Sequence, residues 1–204
     1  MHKNRTKYMV ACPVVTPHIV EVIREARKIL RGKMEAGIST PSFDYVTFGQ
    51  PFVASYEEVS MISLGIDLSA LRLSMGEHPF TLGEVKLFES KVLDTLYLEV
   101  NTDEDVTEFL KKMRDGLFSA GDTAMLGPRL DDGVPKLHIT LFQGRGLLKR
   151  SGHLADRIES YNHSLRALKS TDQDHLVVFE TFIPVVYARY IPEWKMLSSN
   201  PESP

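Results

Sequence analysis

A stripe of apolar residues at helical spacing constrains this chain most. In "PHIVEVIREARKILRG", Ile19, Val22, Ile23, Ala26, Ile29 and Leu30 fall on one side of a helix. Thr16 reads as its N-cap, Pro17 as its first residue and Gly32 as its stop. A helix with one apolar side must bury it. The runs on either side, "KYMVACPVV" and "FDYVTF", are short and rich in β-branched and aromatic residues, as strands are.

The rest of the chain repeats that mixture without strict alternation. Ser55 and Glu58 form a capping-box pattern that opens a helix. "DLSALRLSM" reads as a second short helix. "HPFTLGEVKLFES" and "LDTLYLEVN" read as two strands with a turn near Ser90. Thr102 caps a helix in which Val106, Phe109, Leu110, Met113 and Leu117 share a face, and "GPRLDDGVP" is a loop. "KLHITLF" is a strand. "HLADRIESYNHSLRAL" is a helix with Leu154, Ile158, Tyr161, Leu165 and Leu168 inward, and "HLVVFETFIPVVYARYIPEW" supplies one or two closing strands. The pattern is α+β with antiparallel or mixed sheets.

Length, at 204 residues, suits one domain or two tightly joined lobes. With 43% apolar and 25% charged residues the chain should bury a core and fold as a soluble globule. A net charge of −3 argues against a general nucleic-acid coat, which needs many Lys and Arg on one face. The single cysteine, Cys12, excludes an intramolecular disulfide and a Cys-rich zinc site, and suits a reducing, intracellular setting, cytoplasmic or nuclear. Neither a signal peptide nor a membrane span is expected. No HExxH, Walker A, GxSxG or dinucleotide fingerprint is present, so neither a metal nor another cofactor is expected.

The chemistry-bearing segment is "KLHITLFQGRG", residues 136 to 146. In a strand, alternate residues share a face, so His138 and Thr140 project together. An imidazole titrates near neutral pH and can pass a proton, and a neighbouring hydroxyl can donate to a phosphate oxygen. An echo of this segment lies 93 residues earlier, where "YVTFGQP" resembles "HITLFQG" and Thr47 matches Thr140. Two such strands around one phosphate would let one group activate the attacking oxygen and the other protonate the leaving oxygen.

The apolar-His-apolar-Thr-apolar pattern of "LHITL", with this order of elements from about Tyr8 to Trp194, resembles the two-histidine (2H) phosphoesterase superfamily. The resemblance implies a bilobal, pseudo-twofold α+β fold around a central cleft, spanning residues 1–196 as one domain, with residues 197–204 as a loose tail. It also implies metal-independent phosphodiester chemistry. The substrates implied are 2',3'-cyclic nucleotides, 2',5'-linked oligonucleotides and RNA ends.

This chain departs from that pattern at the first motif, where Tyr45 stands two residues before Thr47 and Asp44 precedes it. In a regular strand Tyr45 faces the cleft with Thr47, and its phenol, protonated at neutral pH, serves as acid or phosphate donor to His138 as base. A bulge would turn Asp44 inward instead. A third reading has the second group lost, leaving a nucleotide- or RNA-binding pseudoenzyme or an interaction scaffold. His138, Thr140, Thr47 and Tyr45 are the catalytic candidates. Lys136, Gln143, Arg145 and Arg189 are the candidates for binding an anionic substrate, with Lys149 and Arg150 adding to a local positive field. Tyr187, Tyr190 and Trp194 read as core aromatics or a base-stacking wall. His18 reads as a surface or capping residue. His78 is three residues from Thr81 and so faces the other way, while His153, His163 and His175 lack ligand spacing.

Overall fold

The computed structural model of the chain describes residues 6–32, 37–47, 52–55, 59–60, 80–91, 93–102, 104, 137–171, 174–179, 185–190 and 193–196. Most of the helices expected after Ser55 and Thr102, the loop "GPRLDDGVP", His78, Lys136 and the tail lie outside these residues. Of the first, the Val59 N–H donates to the Ser55 carbonyl at 3.1 Å, as an opening helical turn requires.

The described strands are β1 (Thr6–Pro13), β2 (Tyr45–Thr47), β3 (Phe52–Ala54), β4 (Thr81–Phe88), β5 (Asp94–Asn101), β6 (His138–Gly144), β7 (Val185–Tyr190) and β8 (Glu193–Met196). They form one sheet in the order β4-β5-β6-β2-β1-β7-β8, and β3 joins β1 along the same edge as β2. Every pairing among them is antiparallel, not mixed.

Helices α1 (Pro17–Arg31) and α3 (Leu154–Lys169) cover one face of the sheet, and α2 (Leu147–Arg150) is a single turn after β6. α1 packs on α3 and on β6, and α3 packs on β4. The main core lies between helices and sheet. It joins Ile19, Ile23, Ala26 and Leu30 of α1 and Leu154, Tyr161 and Leu165 of α3 to Cys12, Val46, Leu82, Leu96, Leu98, Ile139 and Leu141 of the strands.

α1 follows the expected stripe with one correction. Ile29 is 46% exposed, because the strict inward line runs 19, 23, 26, 30 and Ile29 falls on its flank. Thr16 occupies the N-cap position without a side-chain capping bond, while its carbonyl accepts from Val20 at 3.1 Å. Gly32 ends the helix at a φ of +44°, and a Cβ there would meet the Arg157 guanidinium at 2.8 Å. His18, expected as a surface or capping residue, reaches the Val178 carbonyl at 2.8 Å.

Candidate functional site

β6 sits in the middle of the sheet between β5 and β2. Its residues pair Thr47 with His138 and Val46 with Ile139. The local twofold axis of this antiparallel pair passes between Val46 and Ile139, so it exchanges Tyr45 with His138 and Thr47 with Thr140. The two echoing segments are hydrogen-bonded neighbours, and Tyr45 occupies the position that the axis makes equivalent to His138. Both project from the face away from the helices, because Val46 and Ile139 between them are fully buried in the main core.

On its other side His138 pairs with Glu99 of β5, and Thr140 pairs with Tyr97. The Tyr97 and His138 rings meet edge to face at 5.2 Å. Lys86 of β4 pairs with Tyr97 in register and holds the Glu99 carboxylate at 2.8 Å. That hydrogen bond is the main reason the Lys86 ammonium is shifted upward. Burial raises the Tyr97 phenol, Glu99 adds to the rise, and Lys86 opposes it.

A glycine keeps this corner clear. A Cβ on Gly83 would stand 2.6 Å from the Glu99 Cβ. The sequence signal for these residues is the alternation of "TLYLEVN", which puts Tyr97, Glu99 and Asn101 on one face and Leu96, Leu98 and Val100 on the other. That β5 lies beside His138 is tertiary information the alternation does not contain.

Toward β1 and β7 the same face turns apolar. Phe43 stacks obliquely on Tyr45 at 4.9 Å and on Tyr187 at 5.0 Å, and Met9, Ala11 and Val185 complete the cluster. Burial pushes the phenols of Tyr45 and Tyr187 above their ordinary value. Tyr45 therefore stays protonated at neutral pH, able to donate a hydrogen bond and unable to act as a base.

Asp44 does not turn toward His138. Its carboxylate lies 2.6 Å from Arg27 of α1, on the helix side, as an ion pair without hydrogen-bond alignment. β2 is thus regular here, with Tyr45 on one face and Asp44 on the other. Arg27 also donates to the carbonyls of Thr140 at 3.1 Å and Leu141 at 3.4 Å. Sequence reading passed over Arg27 because helix polarity alone does not reveal what a half-buried arginine reaches.

The remaining candidates are spread more widely. β6 shifts register once, with Leu96 opposite Phe142 and Tyr97 opposite Thr140. The extra residue, Leu141, returns Gln143 to the face of His138, which strict alternation would deny it. Gln143 is still five residues away, roughly 15 Å along a strand, and its backbone is bridged to Ser39 by hydrogen bonds of 2.8 and 2.9 Å. Arg145 is exposed in the turn beyond β6, roughly 20 Å from His138 along the chain direction. Thr140 is only 5% exposed. For Thr47 and Arg189 the backbone alone is described: Thr47 opposite His138, and Arg189 in β7 opposite Trp194. Lys136 lies outside the described residues. The geometry brings together His138, Thr140, Tyr45 and the Thr47 backbone, and it leaves Gln143 and Arg145 apart from them.

Among the described residues, no group of three His, Cys, Asp or Glu side chains is placed to hold a metal ion, and no helix is long and apolar enough to cross a membrane. No protein-family model matches the chain. None of the curated proteins matches it. Among solved structures it is similar to Usb1 from Kluyveromyces marxianus, at 16% identity and a TM-score of 0.45 over 96% of this chain and 98% of that one. It is similar to the same protein with uridine monophosphate at 15% identity, with the same TM-score and coverage.

Proposed function

We propose that this chain is a 2H-phosphoesterase-like protein, one bilobal unit over residues 1–196, that binds a small phosphodiester over the β2–β6 pair and cleaves it slowly. The observation that carries the reading is the pairing of Thr47 with His138, which makes Tyr45 and His138 equivalent about the local axis. A phosphate centred on that axis would be flanked by one imidazole, one phenol and two threonines. His138 takes the proton of the attacking hydroxyl or water as the new P–O bond forms. The Tyr45 phenol donates to the departing oxygen as the old P–O bond breaks, and Thr47 and Thr140 donate to the non-bridging oxygens. A leaving alkoxide is more basic than a phenolate, so the second transfer runs downhill. The phenolate is then reprotonated from the imidazolium or solvent.

The ligand class is a 2',3'-cyclic nucleotide, a 2',5'-linked oligonucleotide or an RNA end, as the "LHITL" resemblance implies. Replacing a histidine acid by a buried phenol removes a group that titrates near neutral pH. Such a loss typically costs ~10² to 10⁴ in rate, or roughly 3 to 5 kcal/mol of barrier.

A second reading, ligand binding without turnover, is favoured by one observation. Tyr45 is stacked on Phe43 at 4.9 Å and partly buried, a setting that holds a phenol still and keeps it neutral. The deciding experiment is a turnover assay in EDTA with 2',3'-cyclic mononucleotides, 2',5'-oligoadenylate and cyclic-phosphate-ended RNA. Turnover that vanishes in His138→Ala supports the enzyme. No turnover, with a thermal shift abolished in His138→Ala, supports the binder. Neither signal leaves a scaffold.

A further inference from the structure

We propose that Glu99 is a positioning residue for His138, standing directly opposite it in the ladder with its carboxylate anchored by Lys86 and with Tyr97 against the imidazole, so that the ring is oriented and its protonated form favoured. This rests on the reading of His138 as the group that moves protons, and extends that site by one strand.

Three observations converge on it. Glu99 and His138 are directly opposite in the β5–β6 ladder, and cross-strand neighbours on one face have Cβ atoms about 4.5–5.5 Å apart. Tyr97 presses edge to face on the imidazole at 5.2 Å, which limits rotation of the ring. Lys86 fixes the Glu99 carboxylate at 2.8 Å, and the Glu99 side chain is only 17% exposed, so its field is poorly screened by water.

Around His138, the titratable groups that face it from the packed strands are Tyr97 and Glu99 of β5, Tyr45 of β2 and Lys86 of β4. Asp44 is turned to Arg27 and Glu84 to Arg166. Lys169, at the end of α3, also feels the charges of Glu84 and Glu99. Among the described residues, then, Glu99 is the carboxylate on the imidazole's own face. A carboxylate on the residue directly opposite an imidazole favours the imidazolium and favours one orientation of the ring, as the acidic partner of a catalytic histidine does.

The test is an NMR titration of the His138 ring in the full chain without substrate, alongside pH–rate profiles where turnover exists. Glu99→Gln is expected to lower the His138 pKa by about half a unit to one unit, and to lower kcat more than it changes KM. Lys86→Gln is expected to raise it, because a repelling cation is removed and the charge of the Glu99 carboxylate is no longer offset. Tyr97→Leu is expected to move the His138 ring resonances and to lower kcat, while Tyr97→Phe preserves both. A His138 pKa that is unchanged or raised in Glu99→Gln overturns the inference, as does a lowered one in Lys86→Gln. Thermal melts of the variants separate these outcomes from a loss of fold. Because the titration needs no substrate, a silent substrate panel with a shifted pKa overturns the phosphodiester reading while leaving the coupling in place.

Discussion

Arg27 stands 2.6 Å from Asp44 beneath the sheet, and the same guanidinium donates to the Thr140 carbonyl at 3.1 Å. One side chain from α1 therefore ties together the residue before Tyr45 and the residue two after His138. The tie lies on the helix side, while the tyrosine and the histidine face the other way.

Removing the tie should loosen the motif pair. Arg27→Met leaves Asp44 and two carbonyls without their cation, each partner being about one-fifth exposed. A loss of about 2–3 kcal/mol is expected in urea unfolding, somewhat below the cost of breaking a fully buried pair. Arg27→Met with Asp44→Asn should cost less than the sum of the single changes, because the stranded carboxylate is then gone.

A buried amide does comparable work on the same face, at the β4 edge of the sheet. Asn162 of α3 accepts from the Val85 N–H at 2.7 Å and donates to the Val85 carbonyl at 2.9 Å. Val85 adjoins the register shift between Leu82 and Val85 in β4, where the ladder to β5 is interrupted. Asn162→Leu keeps the branched shape and strands both backbone groups. A loss of about 2–4 kcal/mol is expected, with faster amide exchange at Val85 as the site-specific readout.

Acid stability should trace to Asp94. Its carboxylate accepts from the Leu147 N–H at 2.9 Å and the Ser90 N–H at 3.1 Å, tying the β4–β5 turn to the start of α2. Those bonds hold its pKa below the ordinary carboxylate value. The stabilisation is therefore complete above the unfolded carboxylate's pKa, about 3.9, and is lost as pH falls through the lower folded value. Asp94→Asn should cost about 1–2 kcal/mol at pH 7. Its melting temperature should converge on that of the wild type as pH drops below about 4.

Gly83→Ala tests the corner beside Glu99. The added methyl would sit 2.6 Å from the Glu99 Cβ, a backbone-anchored atom that cannot swing aside. A loss of about 1–3 kcal/mol is expected. If Glu99 acts on His138, the His138 resonances should move in the same variant.

Much of this fold is written in local pattern. The α1 stripe, the α3 stripe, the turn at Ser90 and the hairpin strands around it follow from spacing and turn chemistry, and the structure places them accordingly. Ile29 misled because six apolar residues fit a broad stripe, of which four are buried, Val22 packs at the margin and Ile29 falls outside. The motif strands were legible as strands, and their pairing was not, since an antiparallel register is set by which residues meet across 93 positions of chain. Gln143 shows the same limit: the extra residue at Leu141 reverses its face, and nothing in "HITLFQG" marks that residue as extra. Arg27, Glu99 and Asn162 were invisible for the reason that polar residues declare their partners only in three dimensions.

The adjacency of β2 and β6 has a consequence for motion. Many clefts lie between bodies that swing on a hinge, so a ligand is gripped by closure. Here the two positions related by the local axis belong to strands on one hydrogen-bonded ladder. They cannot separate without breaking it, and a slip of one residue would turn His138 into the core. The spacing between Tyr45 and His138 is thus a fixed gauge: a ligand bound over this pair would be chosen by whether it fits that span, and any gating of it would come from side chains or from segments laid over the sheet.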